Sequence, residues 1–89
     1  MNSMGQSEQL DALTDIISVL NEISLDSNVP RNVRAKMGEI QAMLNSARED
    51  SVKLHDAMHA LDEVSTDANL DSFSRTQVYS LISMLEKLK

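Results

Sequence analysis

Cysteine is absent from this 89-residue chain, so it has no disulfide framework, thiolate metal site or cysteine nucleophile. There are only two aromatic side chains, Phe73 and Tyr79, which leaves little on which nucleic-acid bases could stack. The glycines are Gly5 and Gly38, and no glycine-rich loop is present to cradle a phosphate. No stretch approaches the roughly 20 apolar residues that a membrane span needs. Met1 to Gln6 has neither a basic start nor an apolar run, so a secretory signal is not expected and the expected setting is the cytoplasm. A chain this short suits one small domain with a modest core, a size at which self-association adds useful stability.

What is present is charge, and most of it is acidic. The formal net charge of −6 repels phosphate backbones and disfavours nucleic acid as a partner. The charges are unevenly placed. Between Glu8 and Asp26 there are five acidic residues and no basic one; from Pro30 to Arg48, four basic and one acidic. From Glu49 to Asp67 there are six acidic and one basic; from Asp71 to Lys89, two acidic and three basic. If these segments are neighbouring helices, the alternation supports their pairing, at about 0–1 kcal/mol for each exposed ion pair.

The chain also writes one passage twice. Leu20-Asn21-Glu22-Ile23-Ser24-Leu25-Asp26-Ser27-Asn28-Val29 returns 41 positions later as Leu61-Asp62-Glu63-Val64-Ser65-Thr66-Asp67-Ala68-Asn69-Leu70. The match runs on through Arg34/Arg75, Met43/Met84 and Leu44/Leu85, and back to Leu13/Leu54 and Asp15/Asp56. A fixed period of this size signals a repeated supersecondary unit.

Apolar residues recur at spacings of three and four, the mark of one helical face. Leu10, Leu13, Ile16, Ile17, Leu20 and Ile23 predict a first helix over Ser7 to Leu25, with Ser7 as N-cap. Asp26 to Pro30 is a break, with Pro30 suited to the first position of the next helix. The second helix is predicted over Pro30 to Ala47, with Val33, Met37, Ile40 and Leu44 inward. The third runs from Ser51 to Thr66, with Leu54, Ala57, Met58, Leu61 and Val64 inward. After a second break, with Asp71 as N-cap, the fourth runs from Ser72 to Leu88, with Val78, Leu81, Ile82, Leu85 and Leu88 inward.

No segment alternates as a strand does, so the fold class is all-α. Short connections place neighbouring helices antiparallel and predict an up-down four-helix bundle of two pseudo-symmetric hairpins. The period also fits helical repeats of the HEAT class, but stacking needs about three units. The domain is expected over residues 7–89, after a flexible tail over residues 1–6.

The segment from Leu20 to Arg34, with its Asn28-Val29-Pro30-Arg31-Asn32-Val33-Arg34 core, resembles a small archaeal family known as uncharacterised protein family 0147. The second Asp-x-Asn copy, leading to Arg75-Thr76, extends the likeness over most of the chain. The resemblance implies an all-helical bundle in a cytoplasmic protein, and no activity. Asp71 departs from the proline that the family pattern has in the second copy, whereas Tyr79 meets its later aromatic.

Few residues carry chemistry. His55 and His59 lie at i and i+4 on one helical face, a spacing used to bind metal, with Asp62 near the same stripe. A zincin site needs Glu directly after the first His and a third ligand; here Asp56 follows and no third histidine exists. The plainer reading is two solvated histidines on an acidic helix. Asp26-Ser27-Asn28 and Asp67-Ala68-Asn69 imitate the opening of a calcium loop. The required Gly and Glu are replaced by Arg31 and Met37 in one copy and by Ser72 and Val78 in the other, which excludes that loop.

Arg31, Arg34 and Lys36 begin the second helix, with Arg75 the mate of Arg34. They could meet a phosphate or a partner carboxylate, or simply pair with the acidic helices. Gly38 forms a small-residue strip with Ala35 and Ala42 and is the repeat-mate of Tyr79, so one hairpin has a hole where the other has a ring. Phe73 and Met84 share a stripe away from the main core face of the fourth helix. Arg31, Arg34, Gly38, Phe73, Tyr79 and Met84 are therefore the interaction candidates. Met37, Met43, Met58 and Met84 sit on or beside core stripes and also read as core filler.

These features favour a non-enzymatic interaction module that pairs with itself as a homodimer or with another protein. No catalytic residue and no cofactor are assigned. Two alternatives are a metal-binding bundle using His55, His59 and Asp62, and an accessory protein that contacts phosphates through Arg31 and Arg34.

Overall fold

Four α-helices account for most of residues 6–88, which the computed structural model describes, with side chains described for residues 11–88. They are α1 (Gln6–Leu25), α2 (Arg31–Asn45), α3 (Asp50–Ser65) and α4 (Ser72–Glu86), and no strand occurs among the described residues. The fold class is all-α. The expected tail, apart from helical Gln6, and the inward side chain of Leu10 lie outside what is described. Because α1 already includes Gln6, Ser7 stands inside the helix and is not its N-cap.

Each helix buries the face its spacing predicts. The core gathers Ile16, Leu20 and Ile23 of α1 with Val33, Met37, Ile40 and Leu44 of α2. Ala57, Ala60, Leu61 and Val64 of α3 meet Val78, Leu81 and Leu85 of α4. Leu13, Ile17, Leu54, Met58 and Ile82 pack half-buried against this core. They lie beside the central stripe, where a helix with two neighbours covers its flank only in part.

Every helix packs on two others: α1 on α2, α2 on α3, α3 on α4, and α4 on α1. Side-chain hydrogen bonds give the directions. Gln41, late in α2, donates to the Ile17 carbonyl of α1 at 3.3 Å. Asn32, at the start of α2, donates to Asp67, just beyond α3, at 2.8 Å. Neighbours in the chain therefore run back along one another. Among the described residues no helix is long and apolar enough to cross a membrane.

The ends differ from expectation by no more than two residues. Pro30 has φ −54° and ψ 144° and occupies the N-cap of α2 rather than its first helical position. Its carbonyl accepts from the N–H groups of Val33 and Arg34, at 3.0 Å each. Asp71 caps α4 as expected, accepting from the Ser74 N–H at 3.2 Å. At the opposite end of the bundle the Lys53 ammonium donates to the carbonyls of Leu44 at 3.4 Å and Ser46 at 3.2 Å. A cation at the carbonyl end of α2 satisfies orphan acceptors and matches the helix dipole.

The expected pairing of acidic and basic helices takes another form. Lys36–Glu39 and Lys53–Asp50 are pairs within one helix, and Arg48–Asp56 at 2.6 Å joins a connection to α3. Arg34 of α2 bonds the Val29 carbonyl instead.

Gly38 also differs from its expected role. A Cβ placed there meets no atom within 4 Å, so no close approach inside the chain requires glycine. Glycine in a helix interior costs about 1 kcal/mol relative to alanine. Gly38→Ala is therefore expected to raise the unfolding free energy by about 1 kcal/mol in urea titration. A loss of stability would mean that a neighbour fills the space.

Candidate functional site

The repeated passage folds twice into one device. Ser24 donates its hydroxyl to the Asn21 carbonyl at 2.8 Å, and Ser65 to that of Asp62 at 2.6 Å. Asp26 accepts from the Asn28 N–H at 2.9 Å, and Asp67 from that of Asn69 at 2.8 Å. An aspartate that bonds the backbone two residues on closes a turn without a glycine. The next residue, Val29 or Leu70, is buried in the core and anchors the turn. The duplicated motif is helix-end punctuation, with an apolar pin.

The arginines complete it. Arg34 Nε donates to the Val29 carbonyl at 3.0 Å. Arg75 goes further, donating to the carbonyls of Leu70 at 2.8 Å, Asp67 at 3.1 Å and Ser65. Both were candidates for ion pairing with the acidic helices; both bond main-chain oxygens instead. A guanidinium presents five N–H donors in a rigid fork, which suits several carbonyls at once. Arg31 is exposed and away from these clamps, and Lys36 is tied to Glu39. The Arg31–Arg34–Lys36 set thus does not come together around one anion position.

Asn32 joins the two turns by donating to Asp67. The Asn69 N–H and the Asn32 amide, with Arg75 nearby, hold the Asp67 carboxyl below the usual aspartate range. The Ser74 hydroxyl and N–H do the same for Asp71. Position 73, the mate of Asn32, is Phe73, which cannot donate to Asp26 in return.

His55, His59 and Asp62 line one groove of about 300 Å³ between α3 and α4, together with Met58, Ile82 and Glu86. Glu86 is the carboxylate that only the fold could bring there. The polar side chains remain apart: among the described residues no three of His, Cys, Asp and Glu are gathered so as to hold a metal ion. His59 Nδ1 lies 3.9 Å from Glu63, and both histidines are exposed. A second cavity, about 360 Å³, opens at the Lys53 end between Leu13, Leu44, Leu54 and Leu88. Its cation is already engaged by two carbonyls and Asp50. Every buried side-chain polar atom among the described residues has a partner.

What is left over is apolar. Phe73 is 68% exposed, Tyr79 53% and Leu25 73%. Met84, a candidate for a contact surface with Phe73 and also for core filler, packs half-buried against the core. The two share a stripe beside the core face, near the start and the end of α4. Phe73 and Tyr79 fall on opposite flanks of α4 and do not form one patch. The roles of Asn32, Lys53, Ser65 and Ser74 were not foreseen. Lys53 left a signal as the lone cation of an acidic segment; the others left none.

Comparison with known proteins agrees with the resemblance in the sequence. Residues 1–88 match a family described as Uncharacterised protein family (UPF0147). A protein of that family from Methanocaldococcus jannaschii is 39% identical over 80 residues, covering 89% of this chain and 86% of its own. Another, from Archaeoglobus fulgidus, is 36% identical over 76 residues, covering 85% and 87%. A crystal structure of a family protein from Thermoplasma acidophilum is similar with a TM-score of 0.86 at 31% identity, covering 90% of this chain and 95% of that one. A crystal structure of a protein of unknown function is similar at a TM-score of 0.85 and 34% identity, covering 100% and 99%.

Two outcomes follow from the clamps. Arg75→Met strands three carbonyls and is expected to cost about 3 kcal/mol in urea unfolding, against about 1 kcal/mol for Arg34→Met. The lowered carboxyls of Asp67 and Asp71 contribute stability that is complete above the ordinary aspartate pKa. That contribution is lost as pH falls through their lowered values. Unfolding free energies followed from about pH 7 to about pH 3 should therefore decline less steeply at the acid end in Asp67→Asn than in the parent.

Proposed function

We propose a binding role for this chain, which belongs to the uncharacterised protein family UPF0147: a small, non-enzymatic helical module of the cytoplasm that contacts other proteins or a second copy of itself. The observation that carries the reading is the contrast between an interior whose buried side-chain polar atoms, among the described residues, all have partners and large apolar side chains left in solvent. Phe73 and Tyr79 stand where the other half of the chain has Asn32 and Gly38. An apolar ring in water at such a position contributes little to the folded monomer and suits an interface. Self-association through α2 and α4, with Gly38 beside Tyr79 or Phe73, is the homodimeric form of this reading.

A metal-binding role has one observation in its favour, the groove shared by His55, His59, Asp62 and Glu86. The phosphate-binding reading is weakened by Arg34, whose Nε already serves the Val29 carbonyl.

Light scattering at micromolar concentration, with affinity purification from the native host, tests the main reading. A dimer or a reproducible protein complex is expected. A lone monomer with no partner removes the interaction role, and stoichiometric zinc uptake lost in His59→Ala favours the metal-binding one.

A further inference from the structure

The seam between α1 and α4 is the least extensive of the four helix contacts among the described residues, and its two edges differ in chemistry. On α4, Ile82 and Glu86 share a groove with α3 residues, so that flank faces α3. A rotation of about 100° per residue puts Phe73, Gln77 and Met84 on the other flank, toward α1. On α1, the Ile17 carbonyl meets Gln41 of α2. The same rotation puts Asp15 and Glu22 on the opposite flank, toward α4, with Asp11 farther out and Asp26 just past the helix end, where it accepts from the Asn28 N–H.

None of these four carboxylates has an ion-pair partner among the described residues, and Lys87 is the one cation along the facing flank. Like charges one helical turn apart, as in Asp11/Asp15, destabilise a helix. On that flank of α4 stand exposed Phe73 and half-buried Met84, about 16 Å apart along the helix. The seam is thus an apolar edge facing an unneutralised acidic one.

We propose that this seam docks a basic amphipathic helix of another protein. The apolar face of that helix would rest on Phe73 and Met84, and its lysines or arginines along Asp11, Asp15, Glu22 and Asp26. The proposal rests on the binding role above and adds the surface and the chemistry of the partner. A second copy fits less well, because a chain of charge −6 brings acid to acid. Its α2-segment cations are also mostly engaged: Arg34 on Val29, Lys36 on Glu39 and Arg48 on Asp56.

The probe is a synthetic helix of about 18 residues with leucines on one face and lysines on the other, compared with a leucine–glutamate counterpart. Fluorescence titration should show binding of the lysine peptide only, weakened by added salt. Phe73→Ala should weaken it about tenfold, and Asp15→Lys with Glu22→Lys should do so at least as strongly. The control pair Asp62→Lys and Glu63→Lys, on α3, should leave it unchanged. All these positions are exposed, and circular dichroism melts will confirm that each variant is folded. The proposal is overturned if the α3 control weakens binding as much, if both peptides bind alike, or if neither binds at about 100 µM. A dimer that Phe73→Ala dissociates would also overturn it, in favour of a second copy. Those failures leave the broader interaction role standing; that role falls only with a monomer that has no partner at all.

Discussion

Arg75 ties the end of α3 to the start of α4 by donating to the carbonyls of Ser65, Asp67 and Leu70. The rest of the turn end depends on it. Helix termini leave backbone groups without partners, and a short connection between antiparallel helices has few donors of its own to offer. With the guanidinium in place, Leu70 can sit in the core and Asp67 is free to accept from Asn69 and Asn32. Asn32 belongs to α2, so the bond to Asp67 carries the order of one turn into the neighbouring hairpin. At the other end Lys53 plays a comparable part, closing the last carbonyls of α2 from the first turns of α3.

The two halves therefore share a mechanism but not a surface. The serine, aspartate, apolar pin and arginine of each turn make matching hydrogen bonds. The halves differ at Asn32 against Phe73, Gly38 against Tyr79, and Thr14 and Ser18 against His55 and His59. Of these departures Phe73 and Tyr79 leave large side chains in solvent, and the proposed binding role draws on them.

Much of the fold was legible in advance. Spacings of three and four marked the inner face of α2 at Val33, Met37, Ile40 and Leu44 and that of α4 at Val78, Leu81 and Leu85, while Ile82 is only half-buried. Helix ends were less accurate, because Pro30 satisfies both an N-cap and a first-turn position in sequence, and only its ψ of 144° distinguishes them. Burial of Ala60, Ser65 and Ser74 was not legible either, since small residues flank a stripe and their exposure depends on the neighbouring helix. Arg34 and Arg75 were visible as a symmetric pair, but nothing in a sequence says whether a guanidinium meets a carboxylate or a carbonyl.

By itself, then, the sequence determined four amphipathic helices, two turns of one chemistry and a family, because periodicity and turn residues act within a few positions of themselves. The tertiary structure alone decided which polar groups are already satisfied. It placed Arg34 and Arg75 on main-chain oxygens, brought Asn32 to Asp67 across 35 residues, and set Glu86 beside His55 and His59 without gathering them. It also left Phe73 in solvent while covering Met84 on the same stripe. Hydrogen bonds and burial between helices depend on packing direction and rotation, and no local pattern along the chain specifies either.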